Sequence, residues 1–233
     1  MRFIGIAVAL AVGASTGPVV AADFGIEAVS DLRRRGLSWS NREAALEAWA
    51  SMPLARHVSI EAGAATLRRS DRHGAADLLV EAALRYALQT GSWLLWADAG
   101  GLAFVGRSDR NYAQLRAGAS WGIGPVQLGG LAGFVPAQAA IGGSNIYLNA
   151  SAAAGIPGTP LTLRAAIGRS TGSDDGSGRA RRLRPGGDYT DLRFDADYVV
   201  GAVTIGASVT AAPAAAATAD TGTRFVLRAA ARF

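Results

Sequence analysis

The chain closes on "TRFVLRAAARF", residues 223–233, and counting by twos divides it. Phe225, Leu227, Ala229, Ala231 and Phe233 fall on one face, Arg224, Arg228 and Arg232 on the other. Successive side chains of a β-strand point to opposite sides of the pleat, so this is a strand with one oily face and one guanidinium face. In a soluble protein the oily face turns to a core and the arginines to water. In a membrane barrel the oily face turns to lipid and the arginines line a wet interior. The strand alone fits both.

The same alternation runs back through the chain. Ala113, Leu115, Ala117, Ala119, Trp121 and Ile123 share a face, as do Ile146, Leu148, Ala150, Ala152 and Ala154, and likewise Leu192, Phe194, Ala196, Tyr198 and Val200. No charge falls on this face. Arg116, Arg164, Asp191, Arg193, Asp195 and Asp197 fall on the opposite one. The first half follows the rule with more noise, with strands expected near 24–32, 43–52, 57–67, 76–89 and 92–105. There "REAALEAWA" and "AADLLVEAALRYAL" have helical propensity, but Leu78, Val80, Ala82, Leu84, Tyr86 and Leu88 keep period two against Glu81 and Arg85. Asp98 is awkward: facing it inward also turns Leu102 and Phe104 in, unless a bulge at Gly100-Gly101 resets the register.

Twelve strands result, joined unequally. Links such as "RRRGLSWSN", "RRSDRHGA" and "STGSDDGSGRARRLRPGGD" alternate with tight turns such as "TGS", "GP", "PGT" and "VGA". An even number of strands, with short turns at one end and long loops at the other, is the plan of a transmembrane β-barrel. The uncharged face is mostly Ala, Leu, Val and Ile over about ten residues per strand, close to the ~9–11 a tilted strand needs to cross the hydrocarbon. A closed barrel also satisfies every backbone donor and acceptor without an edge, as lipid demands. The expected fold is therefore all-β: a single closed antiparallel up-and-down transmembrane barrel of about 12 strands spanning 23–233.

Composition agrees. "MRFIGIAVALAVGASTGPVVAA", residues 1–22, has an early Arg2, a short apolar run and small residues at its end, the pattern of a secretory signal peptide. Cysteine is absent and all 23 basic residues are arginine, giving a net charge of +5. In an exported chain that charge does not imply a nucleic-acid partner. The expected location is the outer membrane of a Gram-negative bacterium, with outer-membrane lipids and lipopolysaccharide phosphates as neighbours of the Arg-rich loops. The oligomeric state is left open.

"FGIEAVSDLRRRGLSWSN", residues 24–41, resembles the start of the TorF family of porins, in which an opening strand runs into a Val-Ser-Asp pattern followed by Arg-Gly-x-Ser-x-Ser. Val29, Ser30, Asp31, Arg35, Gly36, Ser38 and Ser40 carry the match, while Leu32 and Arg34 stand where aromatics are usual. The resemblance extends through "NYAQLRAGASWG", "IYLNASAAAGIPG" and the closing strand. It implies an outer-membrane, pore-like barrel and names no solute. Terminal Phe233 looks like the signature that such barrels present to their assembly machinery.

Candidate chemistry lies in the lumen. Glu27, Asp31, Glu43, Glu47, Glu61 and Glu81 come from the first strands, and Arg116, Arg164, Arg193, Arg224, Arg228 and Arg232 mainly from the second half. Such walls would polarise an open channel, or pair and close it. If the last strand closes on the first, one register sets Arg232 opposite Asp23, Arg228 opposite Glu27 and Arg224 opposite Asp31. Ser70, Asp71 and His73 are neighbours in "RRSDRHG", but neighbours in sequence seldom converge as a triad, and they read as solvated loop residues. No catalytic group, metal site or cofactor is expected. Loop 170–188 is expected to be exposed on the cell surface, and the function is expected to be passive diffusion of ions or small polar solutes. The alternatives are a closed structural or surface-binding barrel and, last, a lipid-modifying enzyme.

Overall fold

Alternation of small and branched apolar residues with polar ones over seven to fifteen positions leaves little choice but sheet, and the computed structural model, which describes residues 22–213 and 221–233, is built of it. The strands are β1 (Asp23–Val29), β2 (Arg33–Arg34), β3 (Leu37–Ser38), β4 (Ala45–Ala55), β5 (Val58–Ser70), β6 (Ala76–Thr90) and β7 (Trp93–Phe104). They continue with β8 (Tyr112–Ile123), β9 (Val126–Gln138), β10 (Gly143–Gly155), β11 (Leu161–Thr171), β12 (Tyr189–Val200), β13 (Val203–Ala211) and β14 (Arg224–Arg232). Twelve of them form one closed antiparallel barrel in chain order, β14 returning to β1, while β2 and β3 pair separately. The Ala-rich segments with helical propensity are strands β4 and β6, because their period-two faces have lipid on one side and lumen on the other. The expected signal segment falls outside the described residues apart from Ala22.

The outward face is the apolar one throughout. Phe24, Ile26, Leu84, Leu115, Leu148, Ile167, Phe194, Ile205 and Leu227 are all exposed there. Near the short turns, ring pairs stack on this face, Trp93 with Trp121 (centroids 6.2 Å apart) and Phe24 with Phe233 (5.1 Å), as expected of an interfacial aromatic girdle.

Two details depart from expectation. The β6–β7 pairing runs without interruption from Leu79↔Phe104 to Thr90↔Trp93, so no bulge occurs at Gly100-Gly101. Leu102 and Phe104 simply point inward, where both are buried. The register shifts lie instead in β5, β10 and at Pro53. The closing register also differs: Arg232 faces Gly25 and Arg228 faces Val29, two residues along from the expected pairing, which keeps the same faces.

The core lies inside the barrel and at one end only. Leu32, Trp39, Leu67, Leu79, Leu102, Phe104, Val135, Ile141 and Leu183 form a buried apolar cluster at the long-loop end. The noisy alternation of the early strands records this: near the loops the inward face is apolar because it packs on a plug, and farther down it is charged.

Candidate functional site

The plug begins where β1 ends. Asp31 accepts from Ser38 Oγ at 2.6 Å and from Arg33 Nη1 at 3.0 Å, drawing the next turn back over itself. Ser38 Oγ in turn accepts from Arg42 N (2.9 Å), and Ser40 Oγ accepts from Leu32 N (2.9 Å) and donates to Glu43 O (2.6 Å). Arg35 and Gly36 hold consecutive positive φ angles of 54° and 73°, the requirement of a tight two-residue hairpin turn joining β2 to β3. A Cβ at Gly36 would also meet Asp191 Cβ and the Ala211 carbonyl, because the turn is driven into the barrel wall. Val29 packs in the core, and Ser30 stitches the seam: its N–H donates to Leu227 O (2.9 Å) and its Oγ accepts from Leu227 N (3.0 Å). The motif residues at 29–40 thus build a re-entrant hairpin. Leu32 and Arg34, at the positions where aromatics are usual, are both buried inside it.

Arg34 bolts the hairpin to the wall. Its Nη2 lies 2.9 Å from Glu47 Oε1 and 2.5 Å from Glu81 Oε1, with its guanidinium over Trp39 at 4.8 Å. Burial works against its charge, but the two carboxylates outweigh it and hold the guanidinium pKa above its usual value.

Two further segments complete the plug. His73, in the 3-10 turn Asp71–His73, lies between Trp39 (4.3 Å) and Phe104 (4.8 Å). Arg182, from the 3-10 turn Arg179–Arg182, lies over Phe104 at 4.3 Å, points Nε at His73 Nδ1 (3.4 Å) and donates to Arg110 O (2.7 Å). Arg72 Nη1 donates to Arg182 O at 2.8 Å. Burial first, and then Arg182, Arg72, Arg34 and Arg110, push the His73 pKa well below 6.5. Burial likewise lowers Arg182 to about 10. This corrects the reading of Ser70 and His73 as solvated: both are buried, and no hydrogen bond joins them among the described residues. It corrects the 170–188 loop as well, since residues 172–179 are exposed but Ala180 and 182–185 are buried.

Below the plug the walls are charged. Asp98 is clamped between neighbouring strands, its Oδ2 2.8 Å from Arg85 Nη2 and its Oδ1 2.6 Å from Arg116 Nε, which accounts for its inward position. Glu61 accepts from Ser51 and Ser59. Across the barrel Arg193 Nε holds Asp195 at 2.8 Å, Asp191 accepts from Tyr147, and Arg228 grips Asp197 with both ends of its fork. In this register Arg228 stands opposite Val29 and not opposite Glu27. Gly206, on the intervening strand, has no side chain to block the reach, and a Cβ there would collide with both Asp197 and Arg228. Arg232 does reach Asp23 (2.6 Å), as a diagonal neighbour. Glu43 lies outside the strands and is exposed, and Arg224 is exposed at the long-loop rim, so neither lines the lumen as expected. Glu27 is buried opposite Glu47. Three cavities of about 150, 130 and 60 Å³ lie between these groups.

The chain matches, over residues 11–231, the model of a family described as a bacterial protein of unknown function (Gcw_chp), and it belongs to that family. No curated protein matches it. Among solved structures it is similar to an outer membrane channel from Pseudomonas putida F1 (13% identity, 94% of this chain and 97% of that one, TM-score 0.59). It is also similar to the NanC porin (12%, 91% and 98%, TM-score 0.59) and to LpxR from Salmonella typhimurium (10%, 91% and 99%, TM-score 0.51). At these identities the likeness is one of fold: a porin-like barrel.

Proposed function

For this member of the family we propose a narrow, gated channel in the outer membrane of a Gram-negative bacterium, passing ions or small polar solutes by diffusion. The observation that carries the reading is the division of the interior into a lower half with polar cavities of about 150 and 130 Å³ and an upper half filled by a hairpin and two loop turns. A barrel kept only for its outer surface has no need of hydrated space within. The likeness to an outer membrane channel and the resemblance to TorF porins support the same reading. Residues 1–22 would direct export, Phe233 would be read by the assembly machinery, and the long-loop end, with its arginines, would face lipopolysaccharide phosphates.

A closed, surface-binding barrel is the second reading, favoured by the completeness of the apolar plug. Planar-bilayer recording separates the two. The wild type should show brief, rare unit steps. Arg34→Ala should lengthen or enlarge them, because Glu47 and Glu81 lose their common cation at a cost of about 3–5 kcal/mol to the packed plug. Silence from both proteins across salts and voltages would leave only the closed barrel. Enzymatic use of His73 draws no support from its setting, a packed position between the rings of Trp39 and Phe104 with Arg182 against its Nδ1.

A further inference from the structure

We propose that the lumen holds a subsite for a small hydroxylated carboxylate, built around Arg164 where two cavities meet; its biological sense rests on the channel reading above, its binding chemistry does not. Arg164, on β11, lines both the 150 Å³ and the 130 Å³ cavity, as do Arg193 and Arg228. The other two arginines are committed, Arg228 to Asp197 and Arg193 to Asp195. Asp195 is the residue directly opposite Arg164 across the β11–β12 pair, so the natural partner of Arg164 is already held. Among the described residues Arg164 makes no ion pair and donates no hydrogen bond. Three guanidiniums thus face two carboxylates, a surplus of one positive charge. The acids on the far side of the larger cavity, Glu27, Asp31 and Glu47, share it with Arg33, Arg34 and Arg232, so the six arginines lining the two cavities still outnumber their five carboxylates.

A half-buried cation whose nearest acids, Asp195 and Asp197, are gripped by other arginines is costly, and an anion of matching charge reduces the cost. One surplus charge fits a monoanion better than a phosphate dianion, and the planar fork of arginine can bind both oxygens of a carboxylate. The remaining polar lining of the smaller cavity, Gln127, Asn149 and Ser151, is neutral, with donors and acceptors suited to hydroxyl groups, and Trp96 supplies an apolar wall. At about 130 Å³ the space would hold roughly ten waters, or a sugar acid in their place.

The test is isothermal titration of the purified full barrel in detergent with sodium D-glucuronate, D-glucose and inorganic phosphate. Glucuronate should bind saturably and glucose should not, and Arg164→Gln should weaken glucuronate by about tenfold or more while Arg164→Lys retains part of the affinity. No binding of glucuronate, equal binding by Arg164→Gln, equal binding of glucose, or tighter binding of phosphate would overturn the assignment. Where Arg164→Gln fails to give the heat-modifiable migration of a folded barrel, acetate competition against the wild type decides: displacement of glucuronate supports the subsite and its absence refutes it. Binding without unit conductance keeps the subsite and removes the channel, and conductance without binding does the reverse.

Discussion

Arg228, Asp98 and His73 each have an environment that sequence spacing described only in part. The alternation placed Arg228 and Asp98 on the inward face correctly. What it lacked was the reach of a long side chain over a glycine: Arg228 crosses Gly206 to grip Asp197, two strands away. Asp98 needs no bulge, because Arg85 and Arg116 stand directly opposite it on both neighbouring strands. His73 has no periodic signal at all, since a loop residue gives no hint of whether its loop turns in or out. Its setting makes a prediction with a definite sign. The packed imidazole is held neutral, so below about pH 6.5 the released histidine takes up a proton that the packed one refuses, and plug packing weakens as pH falls. The cations that face it come from every element around it: Arg72 on its own turn, Arg34 on the hairpin, Arg110 after β7 and Arg182 on the long loop. The loss approaches about 1.4 kcal/mol per pH unit between the unfolded and the packed pKa. Open probability of the proposed channel should therefore rise between about pH 7.5 and pH 5, and His73→Phe should flatten the change. A wild type with the same open probability at both values would rule the histidine out as the sensitive group.

At the scale of elements, the twelve barrel strands were legible because lipid and water impose unlike chemistry on the two faces of a strand, and every position reports which side it meets. The plug was not, because its residues alternate with nothing. The Ser38, Ser40 and Asp31 positions stand out in the sequence only as a shared motif, yet they fold β2 and β3 inward through hydrogen bonds among themselves that leave no trace in hydropathy. The 170–188 loop shows the same limit within one segment. Its Gly, Ser and Asp residues mark 172–179 as exposed, while the arginines after them suggested more of the same, and Arg182 and Arg184 are instead buried. Arg182 goes inward because it finds carbonyls at Arg110 and Ala140 and ring faces at Phe104 and Tyr112. Trypsin added to intact cells should therefore cut after Arg179 or Arg181 and spare Arg182, as read by mass spectrometry of the released peptides; Arg184, which precedes Pro185, is no trypsin site. Cleavage after Arg182 at the same rate would mean the turn does not dock, and protection of Arg179, Arg181 and Arg182 until lysis would mean that the long-loop end faces the periplasm.

The whole molecule depends on how its two ends meet. Closure joins β1 to β14 through Phe24 and Phe233, each donating its N–H to the other's carbonyl at 3.3 and 2.9 Å, with their rings stacked outside. Charge pairing alone favoured a register two residues away, matching three arginines to three acids, but exposed pairs contribute only about 0–1 kcal/mol each. Aligned main-chain bonds and a terminal ring pair outweigh that, and the surviving Arg232–Asp23 contact fits the observed register as a diagonal. What neither register permits is a slip by one residue, which would turn Arg228 toward lipid at about 2–4 kcal/mol near the midplane. The chain has no cysteine, so closure can be tested cleanly. Glu27 and Ala230 face each other in the observed register, on the inward face, between the bonded pairs that flank them, where cross-strand Cα atoms approach to about 4.5 Å and a disulfide can form. The double variant Glu27→Cys with Ala230→Cys should therefore oxidise readily, joining first strand to last and giving a boiled, unreduced chain that migrates faster than the reduced one. Glu27→Cys with Arg228→Cys, the pair that charge matching would bring together, should form the bond slowly or not at all. The reverse order of rates would place the seam in the charge-matched register, and no bond in either variant would mean that the two strands are not neighbours.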